Sequence, residues 1–353
     1  MHEAVKQLSD MNNSMFKQAN SVKENPADAA VWPLETDVIN VRFYTDYNVC
    51  NYSCPYCIAG QNNKANIVEK WDGTNFDAII ENLTKLPFKI NIRLGVGGEF
   101  FLNNKLVSGA NKLSHAKNVH SVNLITNLIF SVVQYKKMLD HFDKKKLAIV
   151  ASYHPTEVKN HDKRMESAKY MQDNFDFAVI MVAYPPSLEL QAIKKELNDC
   201  GYTVFVQSFV GDYAGKKYPH AYTEYERKLL RSIFYSRHDY EFFVEAIKPG
   251  LCNSGYKSFY VDMTGEVIPC GMQIKYESMG NLARSPEIKL NRMPQMCRGK
   301  TCMCDTENMN TVVFAQHYNK SNKNQHVYAY RHAEQAISDP RLDEWNIEYK
   351  ENV

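Results

Sequence analysis

The sequence predicts an α/β fold built on a parallel sheet. Apolar, β-branched runs recur six times between residues 38 and 209, and a stretch of helical periodicity follows each one. The run Phe177–Tyr184 is apolar without a break, as expected of a strand covered by helices rather than one facing water. Strand and helix alternating in this way imply parallel pairing through right-handed crossovers.

The candidate strands are VINVRFYT (38–45), KINIRLGV (89–96), HSVNLIT (120–126), KLAIVASYH (146–154), FDFAVIMVAY (175–184) and YTVFVQSF (202–209). Candidate helices lie near 75–86, 104–117, 131–143, 160–173 and 187–200, with another at 223–237. Ser187, just after Pro185-Pro186, reads as the N-cap of the fifth helix. Six such units suit either an open doubly wound sheet or an incomplete barrel. In both, ligands sit at the C-terminal ends of the strands. Residues 1–37 form a polar lead-in before the sheet domain at 38–240. From 241 to 310 the alternation stops, cysteines accumulate, and SFYVDMTGEVIPC reads as a hairpin turning at Thr264-Gly265. Residues 311–353 read as a helix near 329–338 and a polar tail.

Composition narrows the function classes. Hydrophobic residues make up 44% and charged residues 23% of the 353, which excludes disorder as the main state. Lys+Arg at 42 against Asp+Glu at 40 argues against a nucleic-acid surface. No apolar run is long enough for a bilayer, so no membrane partner is expected. The opening MHEAVKQLSD lacks the apolar stretch of a secretory signal, and a cytoplasmic location is the expectation.

Nine cysteines in a reducing compartment point to metal binding or catalysis rather than disulfides. Cys50, Cys54 and Cys57 fall in the loop after the first strand. Their spacing does not put all three on one face of a helix, so the loop must wrap to bring them to one centre. Three thiolates are one short of a closed tetrahedral zinc site and one short of a Cys₄ iron–sulfur set. A zinc loop completed by a distant His is one chemistry they allow. An iron–sulfur cluster with an open position is the other.

The spacing of three residues then two, with Tyr56 before the last cysteine, resembles the radical SAM superfamily. That resemblance implies a partial (β/α)6 TIM-like barrel followed by a small cysteine-rich domain. It implies a [4Fe–4S] cluster on Cys50, Cys54 and Cys57, its fourth iron chelated by S-adenosylmethionine. Gly97, Gly98 and Glu99 at the end of the second strand match the superfamily's Gly-Gly-Glu, which meets the cofactor's amino group; Phe100 stands where Pro is common. Thr126-Asn127 at the end of the third strand is similar to its Thr-Asn-Gly, with Leu128 in place of Gly. It implies a contact of Thr126 with the ribose or the methionyl carboxylate, and Tyr56 either shields the adenine or packs.

In the second thiol group, Cys252 is followed by Gly265 and Cys270 in the pattern Cys-x12-Gly-x4-Cys, and MGNL (279–282) comes soon after. This resembles the opening of the SPASM and Twitch auxiliary-cluster domains. Five thiols, Cys252, Cys270, Cys297, Cys302 and Cys304, are too few for two clusters, so the resemblance implies one auxiliary [4Fe–4S] cluster. Cys252, Cys270 and Cys297 are expected ligands, with Cys302 or Cys304 completing the set; zinc is the alternative occupant. Cys200 is expected to be buried.

Ser152-Tyr153-His154-Pro155 closes the fourth strand, so His154 is a candidate for substrate binding or acid–base work at the mouth. Tyr184 and Gln207 end the fifth and sixth strands, and the loop 211–222 reads as a lid or a connector. The implied activity is radical oxidation of a small polar molecule, such as a sugar, cyclitol or aminoglycoside-like alcohol. The auxiliary cluster would accept an electron, and a flavodoxin or ferredoxin would donate to the first cluster. Modification of a ribosomally made peptide is the second reading, disfavoured by the 49 residues before Cys50, too few for a leader-binding domain. A non-catalytic metal-binding scaffold is the third.

Overall fold

The computed structural model describes residues 38–45, 47–57, 73–95, 97–157, 161–188, 190–234, 240, 244–245, 251–252, 254–271, 277–292 and 295–296. Six parallel strands match the sequence expectation: β1 (Val38–Tyr44), β2 (Lys89–Gly95), β3 (Val119–Thr126), β4 (Leu147–Tyr153), β5 (Asp176–Ala183) and β6 (Val204–Ser208). The helices are α1 (Phe76–Leu83), α2 (Asn104–His115), α3 (Val132–Leu139), α4 (His161–Asn174), α5 (Leu190–Asp199) and α6 (Glu224–Ile233). A short hairpin, β7 (Gly211–Tyr213) and β8 (Lys216–Tyr218), follows β6. Then come β9 (Leu251–Cys252), β10 (Ser258–Val261), β11 (Glu266–Ile268), β12 (Gly280–Asn281) and β13 (Gln295–Met296).

The strand order settles the architecture. β1 to β6 lie side by side in sequence order, with parallel pairing throughout. A doubly wound sheet would reverse direction at a switch point. Sequential order with crossovers of one hand instead curls the sheet around an interior, and the result is an α/β partial barrel.

Alternation along each strand assigns the two faces. Val41 and Phe43 of β1, Ile92 and Leu94 of β2, and Val122 and Leu124 of β3 enter the main core beneath the helices. Phe76 of α1 stacks on Phe43, with ring centroids 5.7 Å apart, and lies against Gly109 of α2. The helix ends follow capping rules: Ser131 opens α3 and Thr223 opens α6, each in a reciprocal capping box with the Gln or Glu three residues on. α5 opens at Leu190 rather than at 187, because Pro185–Ser187 form a 3-10 turn, which places Ser187 in that turn and not at the cap position of the helix. Cys200 is exposed, contrary to expectation. The helix has ended at Asp199, and Gly201 reverses the chain so that Tyr202, not Cys200, returns to the core.

The cysteine-rich segment extends the main sheet. β10 pairs parallel to the free edge of β1, and β11 and β12 continue antiparallel, giving the order β12-β11-β10-β1-β2-β3-β4-β5-β6. The hairpin turns where the sequence predicted: Gly265 has φ +83°, and Asp262 Oδ1 accepts from Thr264 N, Thr264 Oγ1 and Glu266 N. β9 and β13 form a separate two-stranded sheet in which Cys252 is the register partner of Gln295. Among the described residues, no helix is long and apolar enough to cross a membrane.

Phe76 is fully buried and bridges β1 to two helices. Phe76→Ala is expected to lower unfolding free energy by about 3–5 kcal/mol in denaturant titration. A loss under about 1 kcal/mol would mean that this layer carries little of the packing.

Candidate functional site

The loop from Tyr47 to Cys57 lies across the C-terminal ends of β1 to β4. Two backbone bonds fix it to the turn after β2: Gly98 N donates to Tyr47 O at 3.0 Å and Glu99 N to Val49 O at 2.9 Å. The approach is so close that a Cβ on Gly98 would overlap the Val49 carbonyl, so only glycine fits there.

Glu99 is 2% exposed and faces inward under this turn. Its Oε1 accepts from Thr126 Oγ1 at 2.8 Å and Phe101 N at 3.2 Å, and its Oε2 accepts from Asn127 N at 2.7 Å. Burial pushes its carboxyl up to about 7 despite these donors and the charge of Arg164. Thr126 is equally committed, to Glu99, to Tyr135 OH at 3.0 Å and to Leu128 N at 3.2 Å. Leu128 has φ +56°, which explains why glycine suits the third place of a Thr-Asn-Gly turn.

Asn127 joins this turn to the thiols. Its Nδ2 donates to Asn51 Oδ1 at 3.0 Å and points at Cys50 Sγ at 3.8 Å, while its backbone O accepts from Arg164 Nη2 at 2.7 Å. Tyr52 N donates to Cys50 Sγ at 3.4 Å. Cys54 Sγ lies 3.4 Å from His154 Nδ1, and Tyr56 OH lies 3.1 Å from the same nitrogen. The His154 ring stacks on Tyr56 at 5.7 Å, and Tyr56 packs against Tyr184 at 5.1 Å.

The electrostatics follow from burial. The Cys54 thiol is pushed up to about 12 by desolvation, with smaller contributions from Glu157, Cys57 and Cys50. His154 is held down to about 3 by burial and by Arg164, so its imidazole is neutral. A thiol this reluctant to ionise alone becomes a thiolate when a metal centre displaces its proton. Cys50, Cys54 and Cys57 are not in disulfides. Among the described residues, no three His, Cys, Asp or Glu side chains converge as ligation of one metal ion would need.

The structure thus brings together Cys50, Cys54, Cys57, Tyr56, His154 and Tyr184, with Gly98, Glu99, Thr126 and Asn127 beneath. Gly97 lies in the same half-buried turn. Cys270 is buried behind the β10–β11 hairpin, where Pro269 approaches Gly255, three residues past Cys252. Cys297, Cys302 and Cys304 lie outside the described residues, as do 1–37 and 311–353. The loop 211–222 holds the β7–β8 hairpin, pinned by Tyr222 OH, which donates to Ala183 O at 2.6 Å and accepts from Phe209 N at 2.8 Å.

Sequence reasoning missed Arg164. It is 4% exposed, donates to Asn127 O and to Ser152 O at 3.0 Å, and lies 4.7 Å over the Tyr153 ring. A signal was present: the buried stripe of α4 through Met171 and Ala168 runs back at helical spacing to Arg164.

Comparison with solved structures supports this fold through the first of the following matches. Native anSMEcpe with bound AdoMet matches over 86% of this chain and 98% of its own, at 12% identity and a TM-score of 0.50. Streptococcus suis SuiB bound to S-adenosylmethionine matches over 71% of this chain at 13% identity and a TM-score of 0.48. This chain covers 64% of SuiB, less than two thirds of its length. BtrN in complex with AdoMet and 2-DOIA matches over 70% of this chain and 79% of its own, at 14% identity and a TM-score of 0.37. At such identities the likeness is one of fold: a partial barrel of six parallel strands with a small additional sheet. No protein-family model matches the chain, and the comparison with curated proteins finds no relative.

Glu99 also gives a pH signature. A carboxyl raised from 4.5 to about 7 on folding binds its proton more tightly in the native state, so its contribution to stability is lost as pH rises between those values. Glu99→Gln removes that loss. In thermal melts of the unloaded chain from pH 5 to pH 8, the deficit of the variant against the wild type is expected to shrink with pH. A constant deficit would rule out titration of Glu99 in that window.

Proposed function

We propose that this chain is a radical S-adenosylmethionine enzyme that oxidises a small polar substrate. The observation that carries the reading is the thiol loop Cys50–Cys57, tied at the barrel mouth by the Gly98–Glu99 turn and by Asn127. In this reading Cys50, Cys54 and Cys57 hold a [4Fe–4S] cluster. Gly97, Gly98, Glu99, Thr126, Asn127 and Tyr56 form the walls around S-adenosylmethionine. When bound, cluster and S-adenosylmethionine together supply a 5′-deoxyadenosyl radical that abstracts hydrogen from the substrate.

The chain's own residues prepare that chemistry. With Cys54 as a thiolate, the sulfur is an acceptor only, so the tautomer that satisfies the contact carries its proton on His154 Nδ1. Asn127 Nδ2 directs a second N–H at Cys50. Donors onto cluster sulfurs stabilise the added electron and raise the potential. Tyr56 and Tyr184, both buried, exclude water from the mouth, and His154 and Tyr184 border the space a substrate would enter. Cys252, Cys270 and Cys297, with Cys302 or Cys304, are proposed to hold an auxiliary [4Fe–4S] cluster that accepts the second electron. The pairing of β9 with β13 supports this, since Gln295 opposite Cys252 is two residues from Cys297. A flavodoxin or ferredoxin is the proposed donor.

Anaerobic reconstitution with iron and sulfide should load about eight irons per chain, four for each cluster. Dithionite and S-adenosylmethionine should then yield 5′-deoxyadenosine, and Cys54→Ala should abolish it. A wild-type holoprotein that yields none would overturn the reading. His154→Leu should keep the cluster's absorption but lower its midpoint potential by about 59 mV, a tenfold change for one electron. An unchanged potential in an EPR redox titration would show that His154 donates nothing to Cys54.

A further inference from the structure

Arg164 on α4 carries a positive charge into the interior without an acid to meet it. The side chain is 4% exposed, and among the described residues no Asp or Glu forms an ion pair with it. Its Nη2 donates to Asn127 O at 2.7 Å and to Ser152 O at 3.0 Å, while Nη1 is buried and has no hydrogen-bond partner. The guanidinium lies 4.7 Å over the Tyr153 ring, and the groups that face it are phenols, those of Tyr52, Tyr153, Tyr135 and Tyr56. Glu99 feels its charge, but the oxygens of Glu99 are engaged by Thr126 Oγ1, Asn127 N and Phe101 N. Carbonyl dipoles and aromatic rings are a weak substitute for a full counter-charge, and a buried cation without one is among the costlier groups a fold can hold. A guanidinium kept there implies an anionic group that completes the site.

The surroundings of Arg164 say which anion. The two carbonyls it holds belong to residues that lead straight to the thiols. Asn127 points its side-chain amide at Cys50 Sγ, at 3.8 Å. Ser152 stands two residues before His154, whose Nδ1 is 3.4 Å from Cys54 Sγ. Tyr52, between those cysteines in the chain, faces the guanidinium as well. Three thiolates outweigh the positive charge of an oxidised [4Fe–4S] core, and reduction adds one more negative charge. A cation buried one residue behind two of the three thiols meets that charge where neither water nor salt screens it strongly.

Resting on the reading of Cys50, Cys54 and Cys57 as cluster ligands, we propose that Arg164 is the buried counter-charge of that centre and sets its reduction potential. Its field favours the state that holds the added electron, which keeps the potential within reach of a flavodoxin or ferredoxin donor. Arg164 acts on the centre through this field and through the residues whose carbonyls it holds, so it is a positioning residue. The charge and the hydrogen bonds are separable by substitution. Lysine keeps the charge but lacks the fork that reaches both carbonyls, whereas glutamine and methionine remove the charge.

The test is an anaerobic EPR redox titration of the reconstituted full chain without S-adenosylmethionine, following the signal that S-adenosylmethionine changes in a parallel sample. Arg164→Gln and Arg164→Met should each lower the midpoint potential by at least 59 mV, a tenfold change for one electron. Arg164→Lys should restore the wild-type value, and Arg231→Gln on α6 should leave it unchanged. An unmoved potential in either neutral variant, or a lysine variant as low as the neutral ones, would overturn the proposal. A loss confined to affinity for S-adenosylmethionine would also overturn it, assigning the guanidinium to the carboxylate of that molecule. If neither neutral variant takes up the cluster while Arg164→Lys does so at the wild-type potential, the charge is what the loaded centre requires and the proposal stands. If Arg164→Lys fails with them, the role is structural and the proposal falls. A wild-type chain without a reducible cluster defeats the radical reading and this inference together; a cluster whose potential ignores Arg164 defeats this inference alone.

Discussion

The carboxylate of Glu99 accepts hydrogen bonds from Thr126 Oγ1, Asn127 N and Phe101 N, while the backbone N–H beside it holds Val49 O. One residue therefore fixes the turn after β2, the turn after β3 and the thiol loop after β1. The three loops would otherwise be independent, because a parallel sheet leaves its strand ends joined only through long crossovers. Placing an acid where burial raises its pKa toward neutrality costs free energy. The return is a mouth whose parts keep one relative geometry, as a reacting site needs.

Asn127 and Arg164 transmit that order outward. Asn127 uses its backbone N–H, backbone carbonyl and side-chain amide on Glu99, Arg164 and the thiol loop. Arg164 in turn ties the end of β3 to the end of β4 through Asn127 O and Ser152 O, beneath His154. His154, in contact with Cys54, stacks on Tyr56, and Tyr184 packs at a tilt against the other side of this pair. The site is thus a set of strand ends locked by buried polar groups and roofed by aromatic ones, in line with the placement of chemistry at the C-terminal face of β/α barrels.

The β10–β11 hairpin gives the second thiol group a physical relation to the first. It pairs with β1, the strand that feeds the thiol loop, so both cysteine-bearing segments issue from one edge of one sheet. It also brings Tyr260 and Ser258 into the interior rows beside Arg42 and Asn40. The segment that carries Cys252 and Cys270 therefore completes a wall of the barrel interior.

Much of this was written locally. The six strands stood out because each is an apolar run bounded by polar turns, and the Cys50–Cys57 and Gly97–Glu99 motifs stood out because their chemistry depends on spacing along the chain. The hairpin at Gly265 was legible for the same reason: a positive φ needs a glycine. What the sequence left open depends on residues far apart in the chain. Strand order chose the barrel over the doubly wound sheet. Burial turned Glu99 and Thr126 into each other's partners, brought His154 within reach of Cys54 a hundred residues away, and hid Arg164 under the site. The interior row of Arg42, Arg93 and Asn123 could not be read from three separate strands, because it exists only once hydrogen-bond register sets them side by side. Short-range pattern reports what the backbone prefers, whereas the partner of a buried polar group is decided by which strands the fold makes neighbours.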